Sequence, residues 1–366
     1  MDKEEKEDIE EGEMSKEEME EKEQETFQPS ETDSFGADYT VDSLIKRLKN
    51  GDIFIPKFER NYIWDINKAS RFIESLLLGL PVPGIFVSRE DNRKLLVIDG
   101  HQRLKTLLYF YTGIFEPTNK KFALVNVNEK FVGLGYNDLT DAKMDDLRRR
   151  LDDAVIHVTV IPRNKKDTEQ KTTYEIFERL NSGGVLLNPQ EIRRAIYSGK
   201  FVELIDTLNL DKSWRDMVRK EVDTRYRDQE NILRFFALYY DRNYKKPMKT
   251  FLSKYMADNR NLDREVTGDK FKALWEETIK TIHEDIGVDA FRRYGKFVAG
   301  IYDAVMIGVA ARLQQGGISD IDGLKKAYAE LVKSKAFNSF IDYHTTDEEK
   351  VSGRIKLAID AFSKIG

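Results

Sequence analysis

The feature that most constrains this chain is a change of hydrophobic period along its length. Up to about residue 165, short alternating runs are interleaved with helical stripes, whereas from Thr168 onward every apolar pattern repeats at helical spacing. Before the change, Ile53-Phe54-Ile55-Pro56-Lys57-Phe58 reads as a strand that Pro56 assigns to a sheet edge. Gly84 to Ser88 and Lys94 to Ile98 read as two strands joined by a polar turn, and Phe122 to Val127 and Val155 to Ile161 as two more. Tyr39 to Leu48 predicts a short helix entered through Thr40 or Asp42. Ala69, Phe72, Ile73, Leu76, Leu77 and Leu80 make an amphipathic stripe stopped by Gly79 and Pro81, and Leu104, Leu107, Leu108 and Tyr111 make another. Asp141 to Asp153 predicts a charged helix. After the change come Ile176, Phe177 and Leu180, then Ile232 to Tyr240, Phe271 to Ile282, and Val298 to Val309. The expected architecture is α+β over residues 38–165, followed by an all-helical domain over 166–366.

Charge divides the chain at a different place. Residues 1–26 carry 14 acidic and 4 basic side chains, so the remainder holds 56 basic against 51 acidic residues and is mildly basic. A segment so acidic and so poor in apolar side chains cannot offset its ordering entropy, and residues 1–37 are expected to form a disordered acidic tail. It is read either as a solubilising leader or as a mobile mimic of nucleic-acid charge. With no cysteine, disulfide scaffolds, thiolate nucleophiles and Cys-ligated metal sites are excluded. No 18-residue apolar run and no basic-then-apolar leader occurs, which predicts a cytoplasmic protein with no membrane partner.

Three clusters can carry chemistry. In Val97-Ile98-Asp99-Gly100-His101-Gln102-Arg103-Leu104, a strand runs through Asp-Gly straight into a helix, where unpaired backbone N–H groups and the helix dipole favour an anion. Gly100 allows close approach of a ligand, Asp99 can cap the helix or hold a divalent cation, and Arg103 is suited to clamping phosphate. Phe58-Glu59-Arg60-Asn61-Tyr62-Ile63-Trp64 interleaves arginine with aromatic residues. It can bind phosphate and a base, or close the core while Arg60 pairs with a carboxylate. Phe177 to Arg194 ends one helix at Gly183-Gly184 and starts another at Asn188-Pro189. That loop is either purely architectural or brings Asn181, Glu191 and Arg194 against the first domain to complete a cleft.

At these places the sequence resembles the N-terminal domain of GmrSD-type restriction endonucleases, within the ParB/sulfiredoxin-like fold group. The resemblance rests on Ile55-Pro56 through Trp64, on the Asp99 to Arg103 turn and on Asn181 to Arg194. Arg227 to Phe235 and Val351 to Ile355 are similar to the helical extension of that family. One departure is His101, where most relatives carry Gln. The resemblance implies binding or hydrolysis of a nucleoside triphosphate with Mg2+ in a bacterial system that restricts foreign DNA. Asp99, His101 and Arg103 would be the catalytic residues, with Asp99 at the metal, and Gly100, His101, Gln102, Arg103, Arg60 and Asn181 would bind the cofactor. Relatives join this domain to a His-Asn-His nuclease, which is expected to be missing here, since after residue 160 only His283 and His344 occur. A separate nuclease subunit is then a possible partner. Two other readings stay open: a non-catalytic DNA-binding or regulatory subunit, and a metal-dependent nickase using Asp99. The basic pairs, among them Arg148-Arg149-Arg150, Lys165-Lys166, Arg193-Arg194, Arg219-Lys220, Lys245-Lys246 and Arg292-Arg293, would bind DNA only if several shared one face.

Overall fold

The computed structural model describes residues 34–365 apart from 56–61, 91, 163–170, 181–186 and 265. The acidic segment, Pro56 to Asn61, Lys165-Lys166 and Asn181 therefore lie outside the described residues. The chain divides into a sheet unit ending at Leu187 and a helical unit from Asn188 to the C-terminus.

The sheet unit opens with β1 (Phe35–Thr40), α1 (Val41–Lys49), β2 (Ile53–Phe54), α2 (Ile66–Leu77), β3 (Ile85–Arg89), β4 (Leu95–Asp99) and α3 (His101–Thr112). It continues with β5 (Ile114–Phe115), β6 (Lys120–Lys121), α4 (Asp145–Asp152), β7 (Val155–Pro162) and α5 (Lys171–Leu180). Five strands form one mixed sheet in the order β1-β7-β3-β4-β2, with β2 at an edge as Pro56 suggests. β3 and β4 are an antiparallel hairpin, and β7 runs parallel to β3 and antiparallel to β1. Val87, Val97, Leu104, Leu107, Ile73 and Val158 are all buried in one apolar core. Thr40 caps α1 by accepting from Ser43 N–H, and Asp65 caps α2 by accepting from Lys68 N–H.

Several sequence expectations change here. Residues 35–37, read as the end of the tail, pair with β7 in β1, because Ala37 and Tyr39 pack on the core. The α2 stripe ends at Leu77, and Leu80 is exposed beyond Gly79, whose φ of 71° closes the helix. Phe122 to Val127 is not a strand. Phe122 and Leu124 are buried as the alternation implies, but Leu124 exchanges backbone bonds with Gly133 and Leu134, and Val125 N–H donates to Ser70 Oγ. Loop and side-chain partners satisfy those groups, so no ladder forms. α5, which the change of period assigns to the helical region, packs on β4 and belongs to the sheet unit.

The helical unit contains α6 (Pro189–Ile196), α7 (Lys200–Leu208), α8 (Lys212–Met217), α9 (Arg227–Tyr240), α10 (Met248–Asp258) and α11 (Gly268–Thr281). A two-strand hairpin, β8 (Arg292–Arg293) and β9 (Lys296–Phe297), precedes α12 (Ala299–Leu313), α13 (Ile321–Lys333), α14 (Lys335–Asn338) and α15 (Glu348–Phe362). α12 is buried nearly all round. α15 comes close to it at Gly308, where a Cβ would lie 2.7 Å from the Phe362 ring, so a larger residue would push the helices apart. No helix among the described residues is long and apolar enough to cross a membrane.

Candidate functional site

β4 has buried side chains along Leu95 to Ile98 and delivers Asp99 to the sheet's end, half exposed. Gly100 follows at φ 102°, with Ile85 Cγ1 only 2.9 Å from where a Cβ would stand. Glycine alone fits both the left-handed backbone and the close approach of β3. Gly100 is therefore the N-cap of α3 and its carbonyl accepts the first helical bond from Leu104, which corrects the idea that Asp99 caps the helix. Unlike α1 and α2, α3 has no side-chain cap, and like α2 it has no acidic residue in its first turn. Among the described residues, no side chain caps the positive end of its dipole.

Asp99 has a different use. Its Oδ2 accepts from Arg103 Nη2 at 2.7 Å, and the same nitrogen donates to the Gly84 carbonyl at 3.0 Å. The Arg103 side chain is only 14% exposed and its Nε is buried without a partner, so the guanidinium lies across the strand ends and does not reach outward. A bidentate phosphate clamp by Arg103 requires that pair to open.

Gln102, expected on the phosphate side, is buried instead. Its Oε1 accepts from the backbone N–H groups of Ile63 (3.1 Å) and Trp64 (3.3 Å), which leaves Nε2 to meet His101 Nε2 at 2.7 Å. Because Nε2 of an amide donates only, that imidazole nitrogen accepts, and the neutral His101 carries its proton on Nδ1. One turn on, Thr106 bonds Tyr62 Oη at 2.7 Å and the Gln102 carbonyl at 2.8 Å. Tyr62 lies edge-on to Tyr109 and Phe115, and Trp64 to Phe72. Burial pushes the Tyr62 hydroxyl up to about 12. The structure thus joins the Tyr62 to Trp64 stretch to the Asp99 turn and gives Tyr62 and Trp64 the core-closing role. Arg60 and Asn181 lie outside the described residues.

Glu191 and Arg194 are used inside the helical unit. Glu191 Oε2 accepts from Asn188 N–H at 2.6 Å in a capping box and from Arg225 Nη2 at 3.1 Å. Arg194 pairs with Asp206 and Gln229 and lies 4.3 Å from the Tyr226 ring centroid. Neither side chain is left over for closing a cleft. Among the described residues, no three His, Asp or Glu side chains gather into a metal cage.

Sequence reasoning missed Asp303. It is fully buried in α12 and accepts from Arg234 Nε at 2.8 Å and Arg354 Nη2 at 2.7 Å, so it joins the Arg227 to Phe235 and Val351 to Ile355 stretches at one carboxylate. The signal was a lone acid in the apolar run Ile301 to Ala310, where an unpaired charge is untenable.

Comparison with known proteins finds a match that includes the Asp99 turn. Residues 41–198 match the GmrSD restriction endonuclease N-terminal domain, a match that runs through the sheet unit and ends just beyond α6. An uncharacterized protein of Methanocaldococcus jannaschii is 26% identical over 129 residues, covering 28% of this chain and only 21% of that relative's length. Over residues 41–198, the chain is thus similar to the GmrSD restriction endonuclease N-terminal domain.

Proposed function

We propose that this is a DNA-associated restriction or defence protein of the cytoplasm that binds a nucleoside triphosphate at the start of α3. The observation that supports it is the uncapped helix N-terminus behind Gly100, flanked by Arg103 and free of acidic residues in its first turn. Backbone N–H groups of the first turn would hold phosphate oxygens, and the Arg103 guanidinium would add positive charge beside them. Arg60 and Asn181 belong to the proposed nucleotide site through the family resemblance, as does the ParB/sulfiredoxin-like assignment of the sheet unit.

The donor set fits Mg2+ only in a limited way. Asp99 offers one partly exposed carboxylate, which suits an ion that takes one or two protein carboxylates and completes its shell with phosphate oxygens and water. When bound, the ion would supply charge neutralisation on the phosphates. If the triphosphate is hydrolysed, Asp99 would also orient water, and His101, held by Gln102, would transfer a proton. The nickase reading needs more ligands than the described residues bring together. A separate nuclease subunit would then perform any cutting.

The test is calorimetry of ATP, GTP, CTP and UTP with Mg2+ on the wild type and His101→Glu. A carboxylate in the first turn suits the helix dipole, so this variant should melt within a few degrees of wild type. It competes with phosphate for the same N–H groups, so affinity for the preferred triphosphate should fall at least about tenfold. Unchanged affinity, or no binding by the wild type, removes the triphosphate from this site.

A further inference from the structure

Hairpin β8–β9 carries one aromatic side chain out into solvent on a firmly rooted base. Phe291 is fully buried, with its ring 5.0 Å from Tyr302 and 6.1 Å from Phe297. Arg292 Nη2 donates to the carbonyls of Met217 (3.1 Å) and Val218 (2.8 Å), and Arg293 Nη1 donates to Asp342 Oδ1 at 2.5 Å. The turn itself is Tyr294-Gly295, at φ 54° and 77°. A two-residue turn with both φ positive favours asparagine or glycine at its first position, because a larger side chain is disfavoured in the left-handed region. Tyrosine stands there nonetheless and is 92% exposed, with the Arg293 guanidinium 5.3 Å from its ring centroid. Packing within the unit does not account for that choice. A fixed, exposed ring beside a guanidinium is suited to stacking on another flat π face next to an anion.

The surrounding charge points the same way. Most of the basic clusters seen in the sequence are ion-paired within the chain, some buried and some at the surface: Arg193 and Arg194 pair with Glu230 and Asp206, the exposed Lys245 and Lys246 with Glu348 and Asp347, and Arg148 to Arg150 with Asp145, Asp152 and Asp146. Arg219-Lys220 is different. It is exposed and directly follows the Met217 and Val218 carbonyls that Arg292 grips, so the structure sets it beside the hairpin, where Lys296 is exposed too. Asp289 and Asp342 face Arg292 and Arg293, while Asp223 interacts with Arg219 and the exposed Glu221 adjoins Lys220.

We infer that the β8–β9 tip is a contact for single-stranded DNA, with Tyr294 stacking on a base and Arg219, Lys220 and Lys296 meeting the flanking phosphates. The choice of DNA rests on the restriction reading above, whereas the stacking contact rests on the hairpin. The test is fluorescence anisotropy of a labelled oligothymidylate with the full chain. Tyr294→Ala should weaken binding about tenfold and leave the salt dependence alone, and Tyr294→Phe should stay within about twofold of wild type. Replacing Arg219 and Lys220 together by Ala should lower the slope of log affinity against log salt by about 0.7 for each phosphate no longer neutralised. Equal binding by Tyr294→Ala and wild type, failure of Phe to rescue, or no binding by the wild type overturns the inference. Inorganic polyphosphate bound as tightly, with the same weakening in Tyr294→Ala, overturns it as well. Triphosphate calorimetry on Tyr294→Ala should match wild type, so a failure at the hairpin is read apart from a failure at α3.

Discussion

Two aspartate–arginine arrangements, one in each unit, use the same chemistry for opposite ends. At the end of β4, Asp99 is 42% exposed and holds one guanidinium at the mouth of an uncapped helix. In the middle of α12, Asp303 is wholly excluded from water and holds two, Arg234 and Arg354, the second also donating to the Thr345 carbonyl. A carboxylate in contact with water can exchange its partner for a ligand at small cost. One sealed between two buried cations cannot, and its role is to fix three helices that are distant in sequence. Exposure, not residue type, separates the candidate site from the architecture.

The largest test of that contrast is Asp303→Asn. Leaving buried guanidiniums without their carboxylate should cost the helical unit about 3–5 kcal/mol, read by urea unfolding through the buried Trp214 and Trp275. A loss below about 1 kcal/mol would make the two pairs equivalent and break the comparison. The matching change at the open pair, Asp99→Asn, keeps an acceptor for Arg103 and should cost no more than about 1 kcal/mol. Its effect belongs in function: triphosphate affinity should drop in Mg2+ and be unaffected in EDTA. Equal affinity in both would leave the cation without a protein ligand here.

The contrast also explains what could be read from the sequence. The strand–Gly–helix turn was legible because Asp99-Gly100 interrupts a buried strand just before a helical stripe, and local rules settle it. The α6 cap at Asn188 was legible for the same reason, since Asn-Pro followed by Glu191 satisfies backbone groups within one turn. Partner choice was not legible. Gln102 reads as a surface polar residue until Ile63 and Trp64 arrive with two unpaired N–H groups, and the sequence holds no trace of that meeting. Asp303 lies 69 positions from Arg234 and 51 from Arg354. Phe122 to Val127 shows the converse, where correct alternation found loop partners instead of a strand.

The smallest expected effect sharpens the comparison from the side of the open site. Tyr62 fastens its segment to α3 through Thr106, and burial raises its hydroxyl to about 12. A group whose pKa is higher folded than unfolded gives its full stabilisation below the unfolded value near 10 and loses it as pH climbs toward 12. The wild type should therefore weaken across that interval. Tyr62→Phe keeps the edge-on ring contacts with Tyr109 and Phe115, removes the ionising group, and should weaken less over the same interval. Because the ring is only half-buried, the difference should be about 0.5 kcal/mol between urea midpoints measured at about pH 9.5 and 11.5. Identical pH profiles would mean that the hydroxyl opens to water before it ionises. The Tyr62 to Trp64 stretch would then be a loosely held edge of the α3 site, and Gln102 alone would tie it to the helix.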